Sequence, residues 1–429
     1  MAEPQARERL TPHHKQLLAF LCVATFFEGY DFFALTQVLP HLRREFALDH
    51  AASSALLGFV NLGTVLAYLL VGRADRFGRR KILTITILGY ALFSALSGFA
   101  PNVFLFGLFQ LLARIFLIGE WALSMVVAAE EFPAKKRGLA LGSIGAMAGL
   151  GSVLCVVVVP PLTSHFGWRS VFFVGIVPLL LLAYARRGLR ETARFEALSA
   201  KSAELVRVNG AGLLALLRGR YGKQVLRMGA IWFLTYIATQ NAVSVWKDYA
   251  MTELAMSEKA AGMAMTIAAL VAMPVAFFAG PLLDRIGRRP GATLILLLTS
   301  LGVWGSYSFP PGGLLTFSLT LAVIGVSAVL TALNAFTTEL FPTHVRSSAF
   351  ALANNLIGRT GYWLSPFVIG HFAETHGWAG PLRVAAIFPI VAIGLIWLWL
   401  PETRGRELED ISGEAEVGAQ ARASSAQPS

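Results

Sequence analysis

An all-α polytopic membrane protein, with twelve transmembrane helices in two six-helix pseudo-symmetric halves, is the fold class that this 429-residue chain predicts. Three observations carry that reading. First, apolar residues make up 55% of the chain and charged residues 14%, with a mean hydropathy of +0.62. A soluble domain carries about 25% charge, so most of this chain is built for a solvent other than water. Second, runs of about 20 apolar residues, each enough to cross a hydrocarbon core of roughly 30 Å, recur along the whole length. Third, a short loop of Gly, Asp and clustered Arg is written twice, as GRADRFGRRK from Gly72 to Lys81 and as GPLLDRIGRRPG from Gly280. Asp75 and Asp284 hold the same place in the two copies, 209 residues apart.

The apolar runs fall at about 15–40, 51–71, 82–99, 103–129, 138–161, 169–187, 226–250, 259–281, 291–309, 314–341, 347–371 and 381–400. Residues 1–187 are thus read as the first half and 226–403 as the second. The first run is long and lacks an Ala-x-Ala site, which predicts a retained helix rather than a cleaved signal. Between the halves, 188–225 reads as a cytoplasmic linker, with ten Lys or Arg from Arg186 to Arg227. Each would be drawn to anionic lipid by about 1 kcal/mol near the surface. The tail, 404–429, ends in GAQARASSAQPS, too poor in apolar residues to fold. Cys22 and Cys155 both lie in apolar runs, so no disulfide framework is implied.

The net charge of +11 would suggest nucleic acid in a soluble protein. Its placement excludes that reading, because no single basic face rich in stackable aromatics is present. With the N-terminus inside, the cytoplasmic segments hold 28 of the 36 Lys and Arg. The outer loops hold Arg43, Arg44, Arg169, Lys247, Lys259 and Arg383, and two arginines lie within helices. Such asymmetry over short loops sets orientation, so both termini and both copies of the repeated loop are expected at the cytoplasmic face of a cell (inner) membrane.

Two six-helix halves, a cytoplasmic linker, and a Gly-Asp-Arg loop between the second and third helix of each half resemble the major facilitator superfamily over about residues 15–410. EEFPAKKRG (Glu130 to Gly138), ELFPTHVRSS (Glu339 to Ser348), RETARF (Arg190 to Phe195) and PETRGRELEDI (Pro401 to Ile411) are similar to paired cytoplasmic signatures of its sugar-porter and metabolite:proton symporter branch. The resemblance implies a gating role for Gly72, Asp75, Arg76, Gly78, Arg79 and Arg80, and for Asp284, Arg285, Gly287, Arg288 and Arg289. In the family the loop Asp meets the start of a neighbouring helix and its own arginines when the protein is open outward, a latch at an end that favours negative charge. Plain anchoring by basic residues is the alternative.

The chemistry is sought where ionisable groups sit deep in apolar helices, since each costs roughly 2.5–3.5 kcal/mol on insertion scales. The first run reads FFEGYDFFALTQVLP, with Glu28 and Asp31 three apart and so on one helical face. Two acids this close do not both ionise cheaply, which suits a reversible proton carrier. Arg114 and Glu120 lie near the middle of the fourth run. In the resembled sugar porters, an Asp after Gly-Tyr on helix 1 pairs with an Arg on helix 4. Carried onto Gly29-Tyr30-Asp31 and Arg114, this makes Asp31 the proton acceptor and Arg114 its counter-ion. A fixed buried ion pair is the alternative. Proton-coupled aromatic-acid and sialate symporters carry Asp-Gly-x-Asp where this chain has EGYD.

The eleventh run, ANNLIGRTGYWLSP, places Arg359 about halfway across. Asn355, Gly358, Arg359 and Gly361 resemble a stretch of bacterial organic-acid symporters. A mid-membrane Arg without an acid in its own half needs an anion, and a substrate carboxylate fits its paired donors. A bridge to Glu28 or Glu120 of the other half is the alternative. In the seventh run, Tyr236, Gln240 and Asn241 are candidate substrate contacts, with Tyr30 in the first, while Trp246 reads as an interfacial anchor. Gly145 and Gly149 lack the Pro of an exporter-type run and read as close helix packing.

There is no phosphate-binding loop, and the eight histidines show no metal-ligand spacing. The expectation is therefore a non-enzymatic secondary transporter without cofactor or metal, importing a small organic anion with protons. Its partners would be the small-molecule substrate, the proton and the lipid bilayer, with a monomer as the working unit. Sugar or polyol symport, or proton-coupled efflux, is the alternative within the same fold.

Overall fold

A computed structural model describes residues 11–77, 79–176, 216–342 and 345–404, and within these all side chains except those of 68–81, 129–130, 134–135, 137–138, 276–277 and 347. The loop residues Gly72, Asp75, Arg76, Gly78, Arg79 and Arg80 therefore lie outside the described side chains, as do most of the predicted linker and the tail beyond 404.

Among the described residues every regular element is helical. The first stretch gives α1 (Pro12–Glu45), α2 (His50–Phe77), α3 (Arg79–Ser97), α4 (Val103–Glu131), α5 (Ala134–Phe166) and the start of a sixth helix, α6 (Ser170–Phe173). The second gives α7 (Gly222–Ser244), α8 (Trp246–Thr252), α9 (Glu258–Ile286), α10 (Arg288–Ser306), α11 (Gly313–Glu339) and α12 (Arg346–Phe350). A π-helical segment (Ala351–Gly358) follows, then α13 (Arg359–His376), α14 (Ala379–Ala385) and α15 (Ile387–Trp399). Seven of the described helical stretches are long and apolar enough to cross a membrane by length and composition. The other predicted runs are helical too, but shorter, interrupted or only partly described.

Local chemistry sets the ends. Thr11 caps α1, its Oγ1 accepting from the His14 main-chain N–H at 3.3 Å, and Pro12 occupies the first turn, where its missing donor costs nothing. Asn102 caps α4 and Ser257 caps α9 in the same way. Prolines stand inside α1, α5, α9 and α13, a habit tolerated in membranes where neighbouring groups re-satisfy the freed backbone.

Packing divides the described residues into two compact units, 11–47 with 59–176 and 48–58 with 216–404. The first unit holds the apolar cluster of Leu21, Ala24, Ile87, Leu117 and Leu123. In it α1 and α5 touch backbone to backbone, since a Cβ on Gly29 would stand 2.0 Å from the Ala148 carbonyl oxygen. The packing glycine of α5 is Gly151 rather than Gly145 or Gly149. A Cβ on Gly151 would overlap the Phe26 carbonyl, whereas Gly145 and Gly149 face open space.

The second unit includes the first turns of α2. There Ser54 Oγ donates to the Pro366 carbonyl at 2.5 Å, and a Cβ on Gly370 would stand 2.4 Å from that of Ser54. The seventh predicted run is divided at Val245, a turn between α7 and α8 whose N–H still donates to the Asn241 carbonyl at 3.3 Å. Trp246, expected at the membrane interface, is instead fully buried, and its indole donates to the Ser306 carbonyl at 3.2 Å. Lys247, expected in an outer loop, is 1% exposed and pairs with Glu258 at 3.2 Å.

Candidate functional site

The first unit gathers its ionisable groups around α1. Glu28 and Asp31 are both buried, and so are Arg114 and Glu120 on α4. Asp31 Oδ1 accepts from Ser94 Oγ of α3 at 3.2 Å. A Cβ on Gly175 would stand 3.3 Å from Asp31 Oδ2, so the chain beyond α6 also closes on this carboxylate. The Glu28 and Glu120 carboxyls act electrostatically on each other. Ser124, one turn along α4, donates to Glu120 Oε1 at 2.5 Å. Arg114 lies 4.3 Å over the Phe32 ring and close enough to act electrostatically on both Glu28 and Asp31. Its stem is held by α2, where a Cβ on Gly63 would stand 3.0 Å from the Arg114 Cβ.

The arrangement is three buried carboxyls and one buried guanidinium, which acts on Glu28 and Asp31. Each carboxyl keeps one oxygen without a hydrogen-bond partner: Glu28 Oε2, Asp31 Oδ2 and Glu120 Oε2. A group so placed can gain or lose a proton with large electrostatic effect, because little solvent screens it. Tyr30 does not join them. It is fully buried, and its hydroxyl donates to the Val171 carbonyl at 3.2 Å, bracing α1 against α6.

The second unit assembles a polar and aromatic cluster from α7, the π segment and α13. Gly358 and Gly361 bring the backbones together: a Cβ on Gly358 would stand 2.5 Å from the Trp232 Cβ, and one on Gly361 2.5 Å from the Phe233 carbonyl oxygen. Tyr236 stacks on Trp232 at 5.2 Å between centroids and meets Tyr362 edge-on at 5.4 Å. Its hydroxyl donates to Asn354 Oδ1 at 2.9 Å. Arg359 reaches over the Tyr362 ring at 5.9 Å, so Tyr236 and Arg359 share a neighbour. Trp232 is fixed in turn by an indole hydrogen bond to Thr337 Oγ1 at 3.0 Å.

Gln240 and Asn241 diverge despite being adjacent. Asn241 Nδ2 donates to Ser365 Oγ at 2.7 Å, tying α7 to α13, while Gln240 Nε2 donates along its own helix to Ser244 Oγ at 3.1 Å. Asn355 is buried beside Asn354. Sequence reasoning missed Asn354, Tyr362 and Ser365, although all three stand in the quoted ANNLIGRTGYWLSP stretch. It also missed Tyr90, Ser94 and Ser124, single uncharged groups in apolar helices that carry no signal of their own.

The second copy of the repeated loop is a charge cluster. Arg288 pairs with Asp284 at 2.5 Å and clasps Glu339, donating from Nη2 at 2.8 Å and from Nε at 3.1 Å. Thr403 Oγ1 donates to the other Glu339 oxygen at 2.5 Å. The start of α10, the helix that the loop leads into, is held by Glu402. Its carboxylate accepts the main-chain N–H of Arg288 at 2.8 Å and of Arg289 at 2.9 Å, capping α10. Asp284 is spent on its own arginine. Burial would raise the Glu402 pKa, but hydrogen bonds from the N–H groups of Arg289, Arg288, Arg404 and Thr403 together hold it below the usual carboxylate value. Gly287 permits the approach, with φ of 105°, a conformation that L side chains avoid. Arg285 and Arg289 complete the loop, Arg289 also donating to the Leu400 carbonyl. Among the described residues no group of three or more His, Cys, Asp or Glu could hold a metal ion.

Comparison with known proteins follows the same lines. The sequence signature of the Major Facilitator Superfamily matches residues 21–246 and 228–426. The chain is 31% identical over 406 residues to a probable 4-methylmuconolactone transporter of Cupriavidus pinatubonensis, covering 91% of each chain. It is 27% identical to a cis,cis-muconate transport protein of Acinetobacter baylyi, covering 86% of this chain and 90% of that one. Among solved structures, the xylose transporter of E. coli superposes with a TM-score of 0.70 at 20% identity, over 92% of this chain and 98% of that one.

Proposed function

The chain belongs to the Major Facilitator Superfamily, whose members are multi-pass membrane transporters rather than enzymes, and from that premise we propose that it is a proton-coupled symporter taking up a small organic anion. The observation that carries the reading is the burial of Glu28, Asp31, Arg114 and Glu120 in the same unit, with Arg114 acting on Glu28 and Asp31. Asp31 takes up the proton; Arg114 is its counter-ion and is released when the charge on Asp31 is neutralised. Uncompensated carboxyls in a membrane are costly, and a proton carrier gives them a use.

The cargo reading rests on the second unit. Arg359 supplies paired donors to a carboxylate, and Tyr362, met edge-on by Tyr236, sets an aromatic ring beside it. One relative is named as a probable 4-methylmuconolactone transporter and another as a cis,cis-muconate transport protein, which supports a small organic anion as cargo. Alternating access about the site, a cytoplasmic position for both termini, and a monomer in the inner membrane complete the proposal.

The test is reconstitution in liposomes. A melting-shift screen over common carboxylates and sugars selects the cargo, and uptake of the labelled acid is followed under an imposed pH gradient. Wild type should concentrate an acid when the outside is acidic, and Asp31→Asn should abolish concentration while retaining exchange. Gradient-driven accumulation by Asp31→Asn would sink the coupling assignment. A neutral sugar carried as well as any acid would sink the carboxylate role of Arg359.

A further inference from the structure

The start of α2 is seated on α13 by His50, Ser54 and Gly58, which stand four apart and share one helical face. Ser54 Oγ donates to the Pro366 carbonyl at 2.5 Å. A Cβ on Gly370 would stand 2.4 Å from the Ser54 Cβ and 3.1 Å from the His50 carbonyl oxygen. One on Gly58 would stand 2.8 Å from the Trp363 carbonyl oxygen. At the head of this seam, His50 Nε2 lies 3.7 Å from Oε1 of Glu253, the residue after α8, and its ring meets Trp378 edge-on at 4.9 Å between centroids. Glu253 is itself anchored, because Oε1 accepts the Trp378 main-chain N–H at 2.5 Å. Trp378 is fully buried, and its indole donates to Asp248 Oδ2 at 2.7 Å.

The first unit carries the same clasp with a different cation. Glu45 and Glu253 stand 208 residues apart, as do Ala47 and Ala255, which share left-handed backbone with φ of 50° and 52°. Gly167-Trp168 and Gly377-Trp378 stand 210 residues apart, and both tryptophans are buried. In the first unit Glu45 accepts from the Trp168 indole at 2.6 Å and from Arg169 at 2.9 Å and 2.5 Å, so its cation is permanent. Ala379 stands where the second copy would have that arginine, and the imidazole of His50 faces Glu253 instead. An imidazole is ordinarily charged only below about pH 6.5, so the second clasp is switchable where the first is not. The other charged groups around it are engaged elsewhere. Asp248 accepts from Trp378, Asp49 Oδ1 accepts the Ala52 N–H at 2.7 Å, and Arg383 of α14 donates to the Tyr307 carbonyl at 2.8 Å. His376, at the end of α13, has its Nδ1 2.6 Å from Thr375 Oγ1.

We propose that His50 and Glu253 form a proton-operated latch, which holds the start of α2 on α13 while the imidazole is charged and lets it lift when the imidazole is neutral. The seam of small residues supplies the fit, and the pair supplies the switch. Because the side chains of His50 and Glu253 are 25% and 26% exposed, the switch biases the seam and does not lock it. The latch is separate from proton coupling at Asp31 and does not rest on it.

The test uses the full chain in detergent, where both faces are open to reagent, with Cys22 and Cys155 replaced by serine and Ser54→Cys as the reporter. Labelling by a methanethiosulfonate is compared with and without His50→Gln, so the titration of the thiol itself cancels. At about pH 8 the two should label alike, and at about pH 5.5 His50→Gln should label about two- to fivefold faster, the scale of a partly exposed pair. Glu253→Gln keeps an oxygen for the Trp378 N–H, so it should match His50→Gln in acid, and the double variant should add nothing. Equal labelling at both pH values, an excess that is the same at both, or wild-type behaviour of Glu253→Gln overturns the latch. Melting without the reporter gives an independent reading: the coupling between His50→Gln and Glu253→Gln should be present at the lower pH and absent at the higher. A coupling that does not change with pH also overturns it.

Discussion

Gly151 and Gly149 stand two positions apart on α5 and meet opposite surroundings. A Cβ on Gly151 would overlap the Phe26 carbonyl of α1, while one on Gly149 would meet nothing. Overpacking of this kind costs about 1–3 kcal/mol, so Gly151→Ala should melt well below wild type in detergent and Gly149→Ala should not. Equal melting of the two variants would show that the α1–α5 contact is looser than described. Arg359→Lys asks a different question of a single side chain. A planar fork over Tyr362 becomes a point charge, and the apparent KM for a carboxylate should rise about tenfold, the scale of one charge-assisted hydrogen bond. An unchanged KM would move the cargo site elsewhere. Glu28, Asp31, Arg114 and Arg359 were legible in the sequence because a charge in an apolar run announces its own cost. Tyr90, Ser94 and Asn354 were not, because hydroxyls and amides are ordinary in such helices. For Ser94 and Asn354 the meaning comes from partners as distant as the 118 residues between Asn354 and Tyr236.

Helix ends and interruptions carry the next lesson. Each predicted apolar run coincides with helix where it is described, yet continuity was misread at Val245, within 351–358 and at Ala386. A hydropathy run reports only that a stretch is apolar, and helix, π segment and break share that property. The π segment sits where Gly358 brings the chain against Trp232, in line with the frequent placement of such segments at functional sites. At α10 the cap comes from Glu402, 114 residues beyond Arg288. Glu402→Ala should destabilise the chain by about 0.5–2 kcal/mol, the range for a lost helix cap. The folded pKa is depressed, so this stability is fully present above the unfolded value of about 4.3 and is lost as pH falls through the folded one. Melting curves of variant and wild type should therefore differ at neutral pH and converge only once pH has fallen below the depressed folded value. A gap that persists in acid would mean that the carboxylate charge is not what holds α10.

For the molecule as a whole, orientation is the open expectation, and charge placement gives it a sign. With Cys22 and Cys155 replaced, an impermeant thiol reagent added to intact cells should label Asp49→Cys and spare Ser424→Cys. The reverse pattern would invert the topology and, with it, the sidedness of any transport. Architecture was readable from the order of residues because the bilayer acts on contiguous stretches. About 20 apolar residues make a span, loop charges orient it, and a duplicated loop betrays a duplicated half. The meeting of Asp31 with Ser94, of Tyr236 with Asn354, and of Arg288 with Glu339 could not be read that way. Each depends on how a helix is turned about its own axis, and a helix apolar on nearly every side leaves little periodic signal to fix that turn. Packing between helices supplies it, through glycine contacts such as Gly29 with Ala148 and Gly361 with Phe233, and so places the few polar groups face to face.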